Sequence, residues 1–191
     1  MDPYFKKQIR YQHRRQSFVF DVGHTLFSSF DVDEGTDVFL RFLEPNSPRQ
    51  ILDLGCGYGP IGIILARLYP DAHVVMADRD LLAVRYTRRN AHQNGQENVT
   101  VVGSVGMESV PDLPYDLIVS NIPAKLGDVG IEQEFFLTPY ERLVPGGDYW
   151  FVVVSGLNHL IPRLGQRHNL NLKEIKKRAG HSVYRLHKPA T

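Results

Sequence analysis

The sequence predicts an α/β fold, an open and mostly parallel sheet with helices on both faces, and three observations predict it. Apolar runs of strand length alternate with longer segments of helical spacing, which is the pattern of βαβ units in a parallel sheet. A glycine-rich turn, Gly55-Cys56-Gly57-Tyr58-Gly59, stands at the exit of the first core strand. Residues 169–188 break the alternation and read as two strands turning near Gly180-His181, an antiparallel hairpin appended to the sheet.

Taken in order, residues 33–45 carry helical spacing, with Asp33 placed to cap the start and Glu34 adding favourable charge to the first turn. Strands are expected at 49–54, 73–78, 98–103, 115–120 and 148–155, each of strand length and largely apolar. Helices are expected at 60–69, where Pro60 suits the first helical position, and at 80–94, between the cap Asp80 and the stop Gly95. A third is expected within 131–143, ended by Val144-Pro145-Gly146-Gly147, and a fourth after Gly156 with Pro162 near its start. Residues 17–30 read as a short strand and loop. Residues 1–16 read as a basic N-terminal arm ahead of a single domain spanning 17–191.

Composition excludes several classes. No apolar run approaches the roughly 20 residues of a membrane-spanning helix, and the N-terminus lacks the apolar centre of a signal peptide. The single cysteine, Cys56, rules out an internal disulfide, and the 8 histidines show no metal-ligand spacing. The expectation is a cytoplasmic protein with neither membrane nor metal partner. Its net charge of +1 conceals three basic clusters: Lys6, Lys7, Arg10, Arg14 and Arg15; Arg85, Arg88 and Arg89; and Lys173, Lys176, Lys177, Arg178 and Arg185, relieved only by Glu174. Such clusters can follow a phosphate backbone, or serve as solvated faces.

Open parallel sheets bind ligands at the carboxyl ends of their strands, so the residues after positions 54, 78, 103 and 120 matter most. From Gly57 the turn satisfies G-x-G-x-x-G, a weak match to dinucleotide folds when it stands alone. Asp53, just before the turn, argues against a pyrophosphate, because a carboxylate repels phosphate and suits an ammonium group. Gly55, Gly57 and Gly59 let backbone and ligand approach closely. Asp78 ends the second core strand nineteen positions after Gly59 and can accept from both hydroxyls of a ribose. An adenosine with an amino-acid tail and no phosphate meets these demands, and S-adenosylmethionine is such a ligand. The fourth core strand runs into Asn121-Ile122-Pro123-Ala124-Lys125. Alone, Asn121 reads best as a turn residue before proline; beside Asp53, the glycine loop and Asp78 it reads as a site residue.

These segments carry a resemblance. Asp53 to Gly62, Ala77-Asp78-Arg79-Asp80 and Ser120 to Ala124, with Phe27-Ser28 and Asp33-Glu34-Gly35-Thr36 upstream, resemble the class I S-adenosylmethionine-dependent methyltransferases. More narrowly they resemble the methyltransferase small domain shared by ribosomal RNA guanine-N2 methyltransferases and their single-domain relatives. The resemblance runs from about residue 17 to 188. It implies a Rossmann-like class I fold, with a seven-stranded sheet whose last strand is antiparallel. It implies methyl transfer to a planar nitrogen, with an RNA guanine exocyclic amine as the best acceptor. Asn121 and the Ile122 carbonyl would each accept one hydrogen of that nitrogen, with Pro123 fixing the backbone. The cofactor contacts it implies are Asp53, Gly55, Gly57, Gly59, Asp78, Arg79, Ser104, Asn121 and Thr36. The substrate contacts are Phe27, Ala124 and Lys125.

The chain departs from the family pattern at three places. Ile122 replaces the second residue of N-P-P, which keeps the main-chain carbonyl. Ala124 stands where an aromatic or large apolar residue is usual. Ser104-Val105 stand where an aspartate often lies near the adenine, which leaves that contact to Ser104 or main-chain groups. An RNA partner is expected through the basic arm and loops, and a homodimer stays open. Two alternatives remain: a protein-amide or small-amine acceptor, and a cofactor-binding RNA or assembly module with little activity. A nicotinamide-dependent oxidoreductase is disfavoured by Asp53.

Overall fold

Side-chain alternation in the central strands decides the architecture. Ile51, Val74, Met76, Leu117, Val119 and Val152 share one apolar cluster, and Leu52, Leu54, Val75, Ala77, Ile118 and Phe151 share another. Strands apolar on both sides require cover on both sides. The computed structural model describes residues 2–26 and 31–190.

In chain order the strands are β1 (Phe5–His13), β2 (Gln16–Gly23), β3 (Gln50–Leu54), β4 (His73–Asp78), β5 (Val99–Gly103), β6 (Tyr115–Asn121), β7 (Leu143–Val154), β8 (Leu172–Arg178) and β9 (His181–His187). The α-helices are α1 (Glu34–Phe42), α2 (Pro60–Leu68), α3 (Leu81–Gln93), α4 (Gly127–Glu132), α5 (Thr138–Glu141) and α6 (Leu160–Arg167). The main sheet has seven strands in the order β5-β4-β3-β6-β7-β9-β8, parallel from β5 through β7, with β9 antiparallel to both its neighbours. This is the Rossmann-like arrangement, with α1, α2 and α3 on one face and α4, α5 and α6 on the other.

Two expectations are corrected. The stretch read as a basic arm is mostly strand: β1 pairs with β2 along its length in a separate two-stranded sheet. Its two-residue turn puts both Arg14 (φ 44°) and Arg15 (φ 65°) in the left-handed region, a geometry usually marked by Asn-Gly or Asp-Gly. The turn was unreadable because arginine is a poor signal for positive φ. The outer edge of β2 is closed by side chains instead of a third strand. Asn94 receives the Val19 N–H at 3.0 Å and donates to the Val19 carbonyl at 2.7 Å; Asn90 does the same for Asp21 at 2.8 and 3.0 Å. Asn90 also donates to the Tyr58 carbonyl at 2.8 Å, tying the hairpin to the glycine turn.

The second correction concerns the helix expected within 131–143. The helical run starts earlier, at Ala124, and passes through a 3-10 turn, α4, a π-helical turn at Gln133–Leu137 and α5. Val144 to Gly147, expected to end the helix, lie inside β7, where the register with β6 shifts between Tyr115 and Leu117. The π turn has a visible cause. Pro139 has no N–H to give the Phe135 carbonyl four residues back, and its ring crowds that carbonyl. The buried Tyr149 hydroxyl donates to the Phe135 carbonyl instead, at 2.7 Å.

Candidate functional site

The carboxyl ends of β3, β4, β5 and β6 enclose a cavity of about 660 Å3, inside the usual range for small-molecule sites. Its walls include Gly55, Gly57, Asp78, Arg79 and Ser104 toward one side, and Asp33, Thr36, Asn121, Ile122, Pro123, Ala124 and Lys125 toward the other. Most residues expected from sequence are therefore brought together.

The glycine turn is shaped by backbone conformation. Gly55, Gly57 and Gly59 have φ of 74°, 58° and 95°, a region side chains disfavour. A Cβ on Gly57 would stand in open space at the cavity wall, so the missing side chain leaves room for a ligand against the backbone. Gly59 does not line the cavity. A Cβ there would come within 2.8 Å of Ile63 and 3.0 Å of Thr87, so its glycine serves packing under the turn. The Thr87 hydroxyl donates to the Gly57 carbonyl at 2.7 Å. Asp78 closes the turn from the β4 side, one oxygen accepting from Gly57 N–H at 2.8 Å and the other from Asp80 N–H at 2.9 Å. Burial raises its pKa, which those backbone N–H groups oppose.

Asp53 is not where the direct-contact reading puts it. It is fully buried behind the turn and absent from the cavity wall. One oxygen accepts from Gly62 N–H at 2.8 Å, while Oδ1 has no hydrogen-bond partner among the described residues. Burial pushes its pKa up to about 7, against the pull of the Gly62 N–H and with a further push from the Asp78 charge. The reason is steric: a residue inside the strand, one before Leu54, has its side chain under α2, where Gly62 leaves it room. Asp53 can act on a cation in the cavity through its field and not through contact.

Ser104 also changes role. Its side chain is spent in its own loop, donating to the Gly106 carbonyl and accepting from Ser109 N–H, both at 2.9 Å. Cys56 is buried with its thiol pushed well above its ordinary pKa by burial, so it is no nucleophile. His24 is exposed and outside the cavity wall. Phe27 and Ser28 lie outside the described residues.

Glu134, Phe135 and His181 are among the wall residues that escaped the sequence reading. The π turn presents Glu134 and Phe135 to the cavity, with Phe135 at 3.4 Å from a Cβ on Gly55 and Glu134 at 3.5 Å from one on Gly106. The signal for them was Pro139, which disturbs the helix at that turn. His181, from the start of β9, reaches the wall beside the first turn of α1; no sequence pattern relates it to the site.

Asn121 is anchored through its side-chain nitrogen. Its Nδ2 donates to Asp33 Oδ2 at 2.8 Å and to Thr36 Oγ1 at 3.1 Å. A carboxylate only accepts, so the nitrogen is the atom that faces Asp33. Oδ1 is thereby left as the acceptor, with no partner among the described residues.

A parallel sheet with a glycine turn after its first core strand, a ribose-type acid after the second and an asparagine-proline segment after the fourth defines a class I methyltransferase fold. Comparison agrees: residues 18–185 match the methyltransferase small domain, and the chain belongs to that family, whose cofactor is S-adenosylmethionine. It is 33% identical over 150 residues to the uncharacterized protein YbxB of Bacillus subtilis, covering 78% of this chain and 74% of that one. It is 38% identical over 130 residues to ribosomal RNA small subunit methyltransferase C of Hahella chejuensis, covering 66% of this chain and 37% of that one. A solved structure of the T. thermophilus 16S rRNA N2 methyltransferase, in complex with AdoMet and guanosine, superposes with a TM-score of 0.82 at 26% identity, over 95% of this chain and 50% of that one. The chain thus spans half or less of the length of these two methyltransferases. Among the described residues no group of side chains could hold a metal ion, and no helix is long and apolar enough to cross a membrane.

Proposed function

We propose that this chain transfers a methyl group to the exocyclic N2 of a guanine in ribosomal RNA. The observation that carries the reading is the anchored Asn121 carboxamide, whose oxygen is an acceptor at the cavity wall with no partner among the described residues. An amine hydrogen is what such an oxygen can hold. The T. thermophilus relative, solved with guanosine, supports a purine as the carrier of that amine.

S-adenosylmethionine supplies the methyl group as a sulfonium when bound. The chain's residues would hold it and the acceptor in line. Gly55 and Gly57 admit the adenosine against the backbone, and Asp78 takes the ribose hydroxyls on the lone pairs its backbone bonds leave free. Arg79 and the main chain at Ser104 border the adenine, with Phe135 as an apolar wall and Glu134 as an acceptor for its amine. The buried charge of Asp53 favours a cation ahead of it, and Thr36 lies on the tail side. At the other end, Asn121 and the Ile122 carbonyl accept the two N2 hydrogens, turning the nitrogen lone pair toward the methyl and stabilising positive charge as it develops. Ala124 leaves space where a larger residue would stack, and Lys125 is exposed on the rim for a phosphate. Exposed Arg10, Arg14, Lys173, Lys177 and Arg178 extend the basic surface for RNA.

The test is transfer of labelled methyl from S-adenosylmethionine to small-subunit RNA from cells lacking this protein, followed by nucleoside analysis. N2-methylguanosine is the expected product. Label confined to protein or to small amines would replace this acceptor with the alternative one.

A further inference from the structure

We infer that Asp33 and Thr36 form a positioning clamp that both orients the Asn121 carboxamide and strengthens its oxygen as an acceptor. The inference rests on the reading of Asn121 as the group that holds the acceptor amine. Asp33 Oδ2 accepts two hydrogen bonds: one from the Thr36 backbone N–H at 3.1 Å, which caps α1, and one from Asn121 Nδ2 at 2.8 Å. The same atom therefore starts a helix and fixes a side chain that lies 88 positions away in sequence. Thr36 Oγ1 receives the second hydrogen of Nδ2 at 3.1 Å. With both N–H groups engaged, the carboxamide cannot rotate without losing both bonds.

The clamp has an electronic consequence as well as a geometric one. Donation from the amide nitrogen to an anionic oxygen shifts amide electron density toward Oδ1, in the cooperative manner of linked hydrogen bonds. An acceptor strengthened in this way stabilises an amine more as it gains positive charge. Gly35 completes the arrangement: a Cβ there would fall 2.8 Å from Asp33 Oδ2 and 2.8 Å from His181 Cδ2. The whole of Asp33-Glu34-Gly35-Thr36 thus has a local account, with Glu34 as the exposed member.

Helix capping and clamping are separable by substitution. Asp33→Ser keeps a good cap but is one atom too short to reach Asn121. Asp33→Asn keeps one oxygen that can serve both donors and removes only the charge. Thr36→Val removes the second acceptor without changing shape. In the full chain, Asp33→Ser is expected to keep its melting temperature and its affinity for S-adenosylhomocysteine. Its kcat on small-subunit RNA should fall on the order of 10²-fold, as misplacing a positioned group does, with KM little changed. Asp33→Asn should recover a large part of that loss. Wild-type kcat in Asp33→Ser, or a loss that Asp33→Asn does not recover, overturns the clamp. A substrate-free readout separates this from failure of the RNA reading: the Asn121 side-chain amide protons, identified in 15N–1H spectra by their disappearance in Asn121→Asp. They should exchange slowly with solvent in the wild type and rapidly in Asp33→Ser. Equal exchange in both proteins overturns the clamp even if no RNA is methylated; the expected contrast without any RNA methylation would retire the acceptor reading and leave the clamp standing.

Discussion

The two ends of the cavity are built by different means. The glycine-turn end is made from backbone: three residues at positive φ, N–H groups bonded to Asp78, and a side chain on α3 holding a carbonyl. The Asn121 end is made from side chains drawn from distant segments, with α1, β6 and β9 contributing Asp33, Thr36, Asn121 and His181. Backbone architecture suits a task that every member of a cofactor-using family shares. Side-chain architecture can be altered one residue at a time, and under the proposed function it sits where the acceptor binds.

The largest effect expected from this contrast is on Asn121. Asn121→Ala should lower kcat by about 10²–10³, the scale of losing one preorganised group at a developing charge, while the affinity for S-adenosylhomocysteine measured by calorimetry stays unchanged. Loss of cofactor binding in this variant would dissolve the division between the ends. At the opposite end, Asp78→Asn should weaken cofactor binding by roughly tenfold or more, since hydrogen bonds to a charged group contribute about 1.5–3 kcal/mol; kcat at saturating cofactor should hardly move. A kcat defect of the Asn121 kind would show that the turn shapes chemistry too.

The smallest effect concerns Asp53, which belongs to neither end. Its folded-state pKa of about 7 stands well above the ordinary 3.8. Between those values the folded chain retains a proton that the unfolded chain has released. The favourable contribution is therefore complete below about pH 4 and is lost as pH rises toward 7. Asp53→Asn carries no charge at any pH, so its melting temperature relative to wild type should improve from pH 5 to pH 8. A parallel pair of pH profiles would mean that Asp53 does not titrate there. A bound cation favours the ionised form, so cofactor affinity should rise between pH 6 and 8 in the wild type and stay flat in the variant.

The same contrast explains what the sequence made legible. The sheet, the hairpin at Gly180, the caps Asp33 and Asp80 and the cavity's glycine side were readable because each depends on local pattern or a residue's backbone preference. Asp53 was assigned to the right neighbourhood and the wrong side of the turn, since strand position does not show which way a carboxylate faces. His181 was invisible because β9 reaches the cavity only after the chain has crossed the sheet. The β1–β2 turn was missed because Arg14-Arg15 adopt by context what glycine adopts by preference. Glu134 and Phe135 were hidden because regular helical spacing over 131–143 does not reveal the wide turn ahead of Pro139.

That proline leaves the chain with a surplus residue in the wide turn at Gln133–Leu137, absorbed where Tyr149 catches the stranded carbonyl. Removing one residue there and replacing Pro139 with a residue that has an N–H would let the coil close to regular pitch, swinging Glu134 about 100° around its axis while the segment beyond Thr138 keeps its seat. A lineage could thus reshape this wall of the cavity through two small changes in one helix, without touching a strand.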